Sequence, residues 1–337
     1  MITMKERLDE KKLNSIFEDF TTKRVLIVGD VMLDAYWWGN VNRISPEAPV
    51  PIVLVKKKEH RLGGAANVAL NVKELGGNPV LCSVIGKDYD GGHLTDLLEL
   101  RGISSDNLIR SKDRPTTVKT RILGNNHQLL RVDNELDLPL TEKDKQHLEK
   151  MVDDLLTNID VVVFEDYDKG LLAPGIISFI TGQARKLNIP IVVDPKKSNF
   201  NEYHHATLFK PNFKELTDGL KLDVSREFNI DEVREAARVL RKRLSLDMAM
   251  ITLSEHGVFI MSETEEHLIP AHYRDIYDVS GAGDTVSSVA ALALACGLSP
   301  YVLAELSNLA GGIVCEHVGV VPIQKEKLLE ESIKVFG

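Results

Sequence analysis

The segment 278–284 carries the clearest chemical signal of the chain, because its glycine-rich sequence Asp-Val-Ser-Gly-Ala-Gly-Asp leads directly into an apolar stretch. Such a turn at a helix N-terminus presents unpaired N–H groups and partial positive charge, which together bind anions. Asp284 adds a carboxylate at the same point. This combination suits phosphoryl transfer, in which amides stabilise the moving group and a carboxylate takes the proton of the attacking hydroxyl. The alternative is a turn whose aspartate caps a core helix.

Two further groups of polar residues suit a sugar. Gly63 and Gly64 precede a helical pattern and allow close approach of a ligand to the backbone, and the amide of Asn67 both donates and accepts hydrogen bonds. The alternative is a closely packed helix start. Asp30 and Asp34 follow the first apolar strand, where carboxylates suit sugar hydroxyls, although ordinary loop acids are an equal interpretation.

Other residues suit a nucleotide and its metal ion. Asn212 and Glu215 share one face of a helical turn and could orient water around Mg²⁺; the alternative is an N-cap followed by a surface glutamate. Thr252, Ser254 and Gly257 lie where the fifth apolar strand ends, in a strand-end loop that could hold phosphate or form a simple turn.

Near the C-terminus, Asn308 and the segment 316–319 could line an adenine pocket, although the sequence indicates little there. The chain contains no GxxxxGK[ST] and no GxSxG, which argues against a P-loop NTPase and an α/β-hydrolase. Gly281 and Gly283 do not complete a GxGxxG motif after the first strand, so a dinucleotide-binding fold fits poorly.

The composition limits the class of protein. The net charge of −9 argues against a general nucleic-acid binder. Cys82, Cys296 and Cys315 form no CxxC pair, so a disulfide scaffold or a common zinc site is not expected. The charged residues 1–12 contain no secretory signal, and the apolar run 286–298 is shorter than the ~20 residues that span a bilayer. We therefore expect a soluble cytoplasmic protein without nucleic-acid or membrane partners.

Apolar runs rich in β-branched residues alternate with helical patterns, which predicts an α/β protein with a parallel sheet covered on both faces. The predicted strands are 24–28, 79–85, 161–164, 189–193 and 248–253, and the predicted helices are 65–75, 91–100, 141–156, 174–187 and 231–244. In such sheets ligands bind at the carboxyl ends of the strands.

Two segments, 48–55 and 118–132, depart from this alternation and resemble antiparallel strands, the second with a hairpin signal at 124–126. We interpret them as a small projecting sheet, a lid, with strands from about 42–60 and 115–133. Because no Pro/Ser-rich linker divides the chain, we expect residues 1–337 to form a single domain that carries this lid.

The order of the motifs resembles the PfkB/ribokinase family of sugar kinases over residues 24–321. Segment 63–67 is similar to the first signature of the family, 212–215 to its NxxE motif and 278–284 to its second signature. The resemblance implies a ribokinase-like three-layer α/β/α sandwich, with a mainly parallel sheet and a small projecting β-sheet lid. It also implies transfer of phosphate from ATP, with Mg²⁺, to a sugar hydroxyl.

A closer resemblance is to the kinase half of the bacterial heptose-phosphate enzymes. The segments that carry it are 43–51, 119–121, 128–133, 165–170 and 193–196. Those kinases phosphorylate O1 of D-glycero-β-D-manno-heptose 7-phosphate for ADP-heptose and lipopolysaccharide synthesis. Because the chain ends at Gly337, we expect a stand-alone kinase. Asp168 stands where the pattern has glycine, and aspartate tolerates positive φ less readily than glycine.

The resemblance implies roles for individual residues. Asp284 would be the general base, and the amides of Gly281, Ala282 and Gly283 would form the anion hole. The residues implied for the sugar are Asp34, Gly63, Gly64, Asn67 and Asp166. The residues implied for the nucleotide are Asn212, Glu215, Thr252, Ser254, Gly257 and Asn308, with Glu215 also holding Mg²⁺ through water.

A phosphorylated sugar needs cationic partners, and the candidates are Lys119, Arg121, Arg131 and Lys196. Lys119 and Arg121 are two apart and therefore share one face of a strand. Arginine gives bidentate phosphate contacts, whereas lysine acts as a point charge. The alternative is that the lid residues face water or pair with Asp133 and Glu135.

Together, the resemblance and these residues predict a kinase that acts on the anomeric hydroxyl of the heptose 7-phosphate. The alternatives are another PfkB kinase, for fructose 6-phosphate or a neutral sugar, and a non-catalytic sugar-phosphate sensor. The exposed edges of the lid predict a homodimer. The expected cofactors are ATP and Mg²⁺, with a monovalent cation as a further candidate.

Overall fold

The computed structural model describes residues 6–125, 127–223 and 228–337. The strands are β1 (Arg24–Gly29), β2 (Val31–Ile44), β3 (Pro51–Gly64), β4 (Asn78–Gly86), β5 (Leu108–Ser111), β6 (Thr117–Gly124), β7 (His127–Asn134), β8 (Val161–Glu165), β9 (Ile191–Asp194), β10 (Leu208–Phe209), β11 (Met248–Thr252), β12 (Val258–Met261) and β13 (Glu266–Ile269). The helices are α1 (Glu10–Phe20), α2 (Ala65–Glu74), α3 (Tyr89–Leu100), α4 (Glu142–Leu156), α5 (Pro174–Lys186), α6 (Phe213–Leu220), α7 (Ile230–Leu244), α8 (Ala282–Ala295), α9 (Pro300–Val314) and α10 (Lys325–Phe336).

The larger sheet runs in the order β13-β12-β11-β10-β9-β8-β1-β4-β5. The pairings from β11 to β5 are parallel, whereas β12 and β13 are antiparallel. Alternate residues of β1 enter different hydrophobic clusters: Val25 and Ile27 face one, and Leu26 and Val28 the other. Helices therefore cover both faces, and the prediction of a three-layer α/β protein is confirmed.

The smaller sheet runs in the order β3-β2-β6-β7, and we call it the lid. It spans 31–64 and 117–134, so the predicted bounds of 42–60 and 115–133 missed β2. This strand contains Asp34, Gly39 and Asn40, which weaken a strand pattern. It forms because it lies between two partners, antiparallel to β3 and parallel to β6.

The hairpin between β6 and β7 lies where the sequence predicted it. Asn125 has φ +51°, a conformation that asparagine tolerates better than most residues. Its neighbour in the predicted signal, Asn126, lies outside the described residues. The expectation that 1–337 form a single domain stays a prediction.

The topology gathers polar residues at one edge of the larger sheet. Gly29, at the end of β1, pairs in register with Glu165 of β8, and Glu165 with Asp194 of β9. The chain enters the lid directly after β1, so the lid rises from this same edge. Across the part of the chain that the structure describes, we find no helix with the length and apolarity needed to cross a bilayer.

Candidate active site

The N-terminus of α8 opens towards this edge of the sheet. Gly281 is the N-cap residue and has φ +79°; a Cβ here would lie 3.0 Å from the amide nitrogen of Asn67. Within the described residues, the N–H groups of Gly281, Gly283 and Asp284 have no protein acceptor. The N–H of Ala282 donates to the carbonyl of Val279 at 3.2 Å, so its predicted place in the anion hole is not supported.

Asp284 lies in the first turn of α8 and is buried. Its Oδ2 accepts from the Asn67 amide and its Oδ1 from the Tyr167 hydroxyl, both at 2.7 Å. Burial raises the pKa of Asp284 to about 6, although both hydrogen bonds oppose that rise. The carboxylate is therefore ionised near neutral pH and poorly hydrated, as a general base requires.

Asn67, predicted to bind sugar, donates its side-chain amide to the Asp284 carboxylate and so orients it. Its own Oδ1 accepts from the side-chain amide of Asn71 at 3.2 Å, which sets the orientation of the Asn67 amide so that its Nδ2 faces Asp284. Both asparagines are buried on α2. The glycine–asparagine motif therefore reaches across the site to the carboxylate of α8.

Ion pairs that the sequence analysis did not assign form the floor of the site. Asp194 pairs with Lys210 at 2.8 Å, and both side chains are buried. Lys196 lies 2.9 Å from Glu215 and 3.8 Å from Asp194. Burial alone would lower the pKa of Lys196, but the two carboxylates outweigh it and raise the pKa. Lys196 thus belongs to the ion pairs of the floor and not to the sheet of the lid, which carries the other predicted phosphate-binding cations.

Glu165 lies beneath this floor and is fully buried. Neither of its carboxyl oxygens has a hydrogen-bond partner among the described residues. Burial, together with the charges of Asp194 and Asp284, raises its pKa well above the ordinary value. This environment favours the protonated, neutral form of Glu165.

Asn212 and Glu215 form a complete capping box at the start of α6. The Asn212 side chain accepts from the Glu215 N–H at 2.8 Å, and Glu215 accepts from the Asn212 N–H at 2.9 Å. The N-cap interpretation is correct, but the glutamate is not a surface residue, since only 17% of its side chain is exposed.

The donor set fits Mg²⁺. No cluster of three or more histidine, cysteine or acidic residues suited to a metal occurs within 6–125, 127–223 and 228–337. Mg²⁺ needs no such cluster, since it keeps several waters and uses one or two carboxylates with substrate phosphates. Asp194 and Glu215 both border the same cavity and supply hard oxygen atoms.

That cavity has a volume of about 800 Å³ and runs from Asp284 past Glu215 to the loop after β11. The predicted nucleotide residues all line it: Asn212, Glu215, Thr252, Ser254, Gly257 and Asn308. Gly257 has φ +88°, and a Cβ there would lie 2.0 Å from the Ile269 carbonyl oxygen. Asn308 donates to the carbonyl of Pro270 at 2.9 Å, which fixes its amide beside the cavity.

Part of the cavity wall is apolar and is formed by Ala271, Ile276, Val279, Val286 and Cys315. The segment 271–277 has no helix or strand pattern, and the sequence did not predict its place in the site. Arg274 fastens this segment through ion pairs to Glu316 at 2.8 Å and Glu331 at 3.1 Å. No local signal indicates these partners, because they lie on later elements of the chain.

The lid meets the site through Asp34, which lies on β2 rather than in the loop predicted for it. Asp34 is buried and forms an ion pair with Arg121 of β6. Gly63 makes room for it, since a Cβ there would lie 2.2 Å from Asp34 Oδ2. Gly64 has φ +58° as the N-cap of α2, where a Cβ would lie 2.4 Å from the Asp30 carbonyl oxygen.

The predicted cations of the lid have different surroundings. Arg121 pairs with Asp34, and Arg131 pairs with Asp133 at 3.0 Å with half of its side chain exposed. Lys119 has no ion pair within the described residues, and its Nζ lies 5.2 Å from the ring centre of Tyr167. Burial lowers the pKa of Lys119.

Asp166, predicted to bind substrate, lies outside the cavity wall. Its carboxylate is buried and accepts from the Tyr203 hydroxyl at 2.6 Å and the Asn199 amide at 3.1 Å, so it holds a loop instead. Asp168 has φ +55°, the conformation that a glycine would adopt easily. Its carboxylate accepts from the Ser198 N–H at 3.3 Å, which helps the aspartate to replace glycine.

Free amides at a helix N-terminus, a buried carboxylate of raised pKa and a long cavity are the features of a phosphotransferase that acts on a hydroxyl group. The pfkB family carbohydrate kinase profile matches residues 22–327, and the chain belongs to this family. It is therefore a carbohydrate kinase.

The relatives agree with the family assignment. The bifunctional protein HldE of Pelobacter propionicus is 37% identical over 327 residues, which are 96% of this chain and 66% of that protein. HldE of Citrifermentans bemidjiense is 38% identical over 325 residues, again 96% and 66% of the two chains. The chain thus spans just under two thirds of the length of these relatives. They confirm the relationship that the sequence motifs indicated.

Solved structures confirm the ribokinase-like fold. Arabidopsis thaliana ribokinase complexed with ribose and ATP has a TM-score of 0.73 and 16% identity, with 93% of this chain and 99% of that chain covered. Escherichia coli phosphofructokinase-2 in complex with potassium has a TM-score of 0.78 and 18% identity, with 94% and 99% covered.

Proposed function

We propose that this protein transfers the γ-phosphate of ATP to O1 of D-glycero-β-D-manno-heptose 7-phosphate. The product would be the 1,7-bisphosphate used for ADP-heptose and lipopolysaccharide synthesis. Phosphoryl transfer is supported by the position of Asp284, a buried carboxylate of raised pKa directly beside the free amides of Gly281 and Gly283. The motifs shared with the heptose-phosphate enzymes support the choice of sugar.

In this proposal Asp284 accepts the proton of the sugar hydroxyl as that oxygen attacks phosphorus. The N–H groups of Gly281, Gly283 and Asp284 stabilise the charge of the transferred group, as fixed donors do in phosphoryl transfer. Lys196 belongs to the same floor and adds a positive charge there. We therefore assign it to the transferred phosphoryl group and not to the sugar 7-phosphate.

We assign the nucleotide to the long cavity, with its base against the apolar part of the wall near Val286 and Cys315. Mg²⁺, when bound, would neutralise phosphate charge, and Asp194 and Glu215 would hold it directly or through water. Glu215 already accepts from Lys196 and from the Asn212 N–H, which favours contact through water.

Lys119 supports an anionic sugar over a neutral one. It is a half-buried ammonium group with no ion pair in the described part of the chain, whereas Arg121, Arg131 and Lys196 each have a carboxylate partner. A desolvated and unpaired charge is unfavourable unless a ligand supplies the opposite charge. The same reasoning keeps fructose 6-phosphate as a second candidate, because it also carries a phosphate.

A sugar panel assayed for ADP release tests the proposal. The panel contains heptose 7-phosphate, unphosphorylated heptose, fructose 6-phosphate and ribose, and ³¹P NMR identifies the phosphorylated oxygen. We expect the highest kcat/KM for heptose 7-phosphate and a new anomeric phosphate signal. Preference for fructose 6-phosphate would replace the heptose assignment, and absence of sugar-dependent ADP release would favour a sensor. Exchange of K⁺ for tetramethylammonium in this assay tests monovalent-cation dependence.

We also propose a homodimer through the lid. Every described residue of β7 is exposed, and apolar side chains such as Leu54, Leu130 and Val132 are about half exposed. Exposed sheet edges and apolar patches are commonly covered by a partner. Sedimentation velocity at micromolar concentration should show a dimer, and Leu130→Asp with Val132→Asp should give a monomer. A monomeric parent protein would contradict this assignment.

A further inference from the structure

Tyr167 touches both the base and the charged groups around it, yet no motif assigned it a role. Its hydroxyl donates to Asp284 Oδ1 at 2.7 Å. The ammonium nitrogens of Lys119 and Lys196 lie 5.2 and 5.1 Å from the centre of its ring, within cation–π range. One side chain thus contacts the catalytic carboxylate, a cation of the lid and a cation of the floor.

The backbone of Tyr167 is held in place by a buried acid. Asp30, at the end of β1, accepts the N–H of Tyr167 at 2.9 Å and that of Lys169 at 3.1 Å. The guanidinium of Arg114 donates to the carbonyl of Lys169. These contacts fix the start of the loop after β8, so the direction of the phenol is set by the fold.

We propose that Tyr167 is a positioning residue that links the orientation of Asp284 to the lid. With Asn67, its hydroxyl fixes the carboxylate by one bond to each oxygen, and each oxygen keeps a second lone pair for the sugar hydroxyl. Its ring holds the ammonium of Lys119 over the sugar site.

The direction of proton donation supports this role. Burial, together with the charge of Asp284, raises the pKa of Tyr167 well above its ordinary value. The phenol therefore remains protonated and donates to the carboxylate, so it orients the base without replacing it. The part of the proposal that concerns Lys119 rests on the proposed function, since it assumes a phosphorylated sugar.

Two substitutions separate the two parts of the side chain. Tyr167→Phe removes the hydroxyl and keeps the ring, so kcat should fall about ten-fold while KM for the sugar phosphate changes little. Tyr167→Leu also removes the ring, so we expect the same fall in kcat and, in addition, a several-fold rise in KM for the sugar phosphate, on the order of one cation–π contact. KM for ATP should stay close to the parent value in Tyr167→Phe.

Tyr203→Phe is the matched control. It removes another tyrosine–aspartate hydrogen bond, which the Tyr203 hydroxyl donates to Asp166 at 2.6 Å. Asp166 lies in the same loop as Tyr167, but neither Tyr203 nor Asp166 lines the cavity. Its kcat, corrected for the folded fraction, should equal that of the parent protein. Equal losses in Tyr203→Phe and Tyr167→Phe would overturn the positioning role, as would a parent-like kcat in Tyr167→Phe.

A second readout does not depend on which sugar is the substrate. In protein with ¹³C-labelled aspartate carboxyls, an NMR pH titration should show a higher Asp284 pKa in Tyr167→Phe, because the lost hydrogen bond favours the ionised form. Tyr203→Phe should leave that titration unchanged. An unchanged Asp284 titration in Tyr167→Phe would overturn the proposal. A sugar panel without heptose preference would instead overturn only the proposed function.

Discussion

The floor of the cavity and the lid both carry many charged residues, but these residues differ in burial and in ion pairing. In the floor, Asp194 and Lys210 are buried and paired at 2.8 Å. In the lid, the pair of Arg131 and Asp133 is partly exposed, and Lys119 has no ion pair among the described residues. The floor is a fixed electrostatic frame for phosphoryl transfer. Apart from its buried pair of Asp34 and Arg121, the lid presents charge that a substrate can use, which suits a role in substrate choice.

The largest expected effect tests whether the floor is a rigid frame. Lys210→Met removes the nearest cation from the buried carboxylate of Asp194 and leaves only the more distant Lys196, which should lower the free energy of unfolding by about 3–5 kcal/mol. Arg131→Met in the lid should cost only about 0–1 kcal/mol, because that pair is partly exposed. Urea denaturation of both variants gives the comparison. Similar losses would remove the distinction between floor and lid.

The next largest effect concerns the proposed general base, Asp284. Asp284→Asn should lower kcat by about 10²-fold or more, since general-base catalysis contributes about 10²–10⁴-fold. KM for ATP should change little, because the free amides of the helix terminus remain. Asp133→Asn in the lid is the control and should keep the parent kcat. Measurement of ADP release decides, and near-normal turnover of Asp284→Asn would exclude it as the base.

The pH dependence of activity tests the same carboxylate without mutation. Burial raises the pKa of Asp284 to about 6, and only its ionised form accepts a proton. kcat/KM for the sugar should therefore be maximal above that pH and fall about ten-fold per pH unit below it. A profile with saturating ATP locates the midpoint. A midpoint near the ordinary aspartate value would show that burial does not tune this base.

The smallest effect should come from the lid. Lys119→Ala should raise KM for a phosphorylated sugar about ten-fold, since a charge-assisted contact contributes about 1.5–3 kcal/mol. The effect on the unphosphorylated sugar should be smaller. Arg131→Ala is the matched control and should change KM less, because Asp133 already pairs with Arg131. Equal effects of Lys119→Ala on both sugars would show that Lys119 does not contact the phosphate.

Much of the fold follows from local patterns. The apolar runs predicted β1, β4, β8, β9 and β11 close to their observed bounds, because buried parallel strands are continuous in hydrophobicity. The strand β2 was missed, since Asp34, Gly39 and Asn40 interrupt its pattern. Its formation depends on hydrogen bonds to β3 and β6, which lie elsewhere in the sequence.

The same distinction between local patterns and long-range contacts applies to the candidate site. Local sequence patterns predicted the glycine turn before α8, the position of Asp284 and the capping box at Asn212, because each depends on residues a few positions apart. No local pattern predicted that Asn67 and Tyr167 hold that aspartate, or that Asp34 pairs with Arg121. Those partners are far apart in the chain, and the packing of strands and helices brings them within hydrogen-bonding distance.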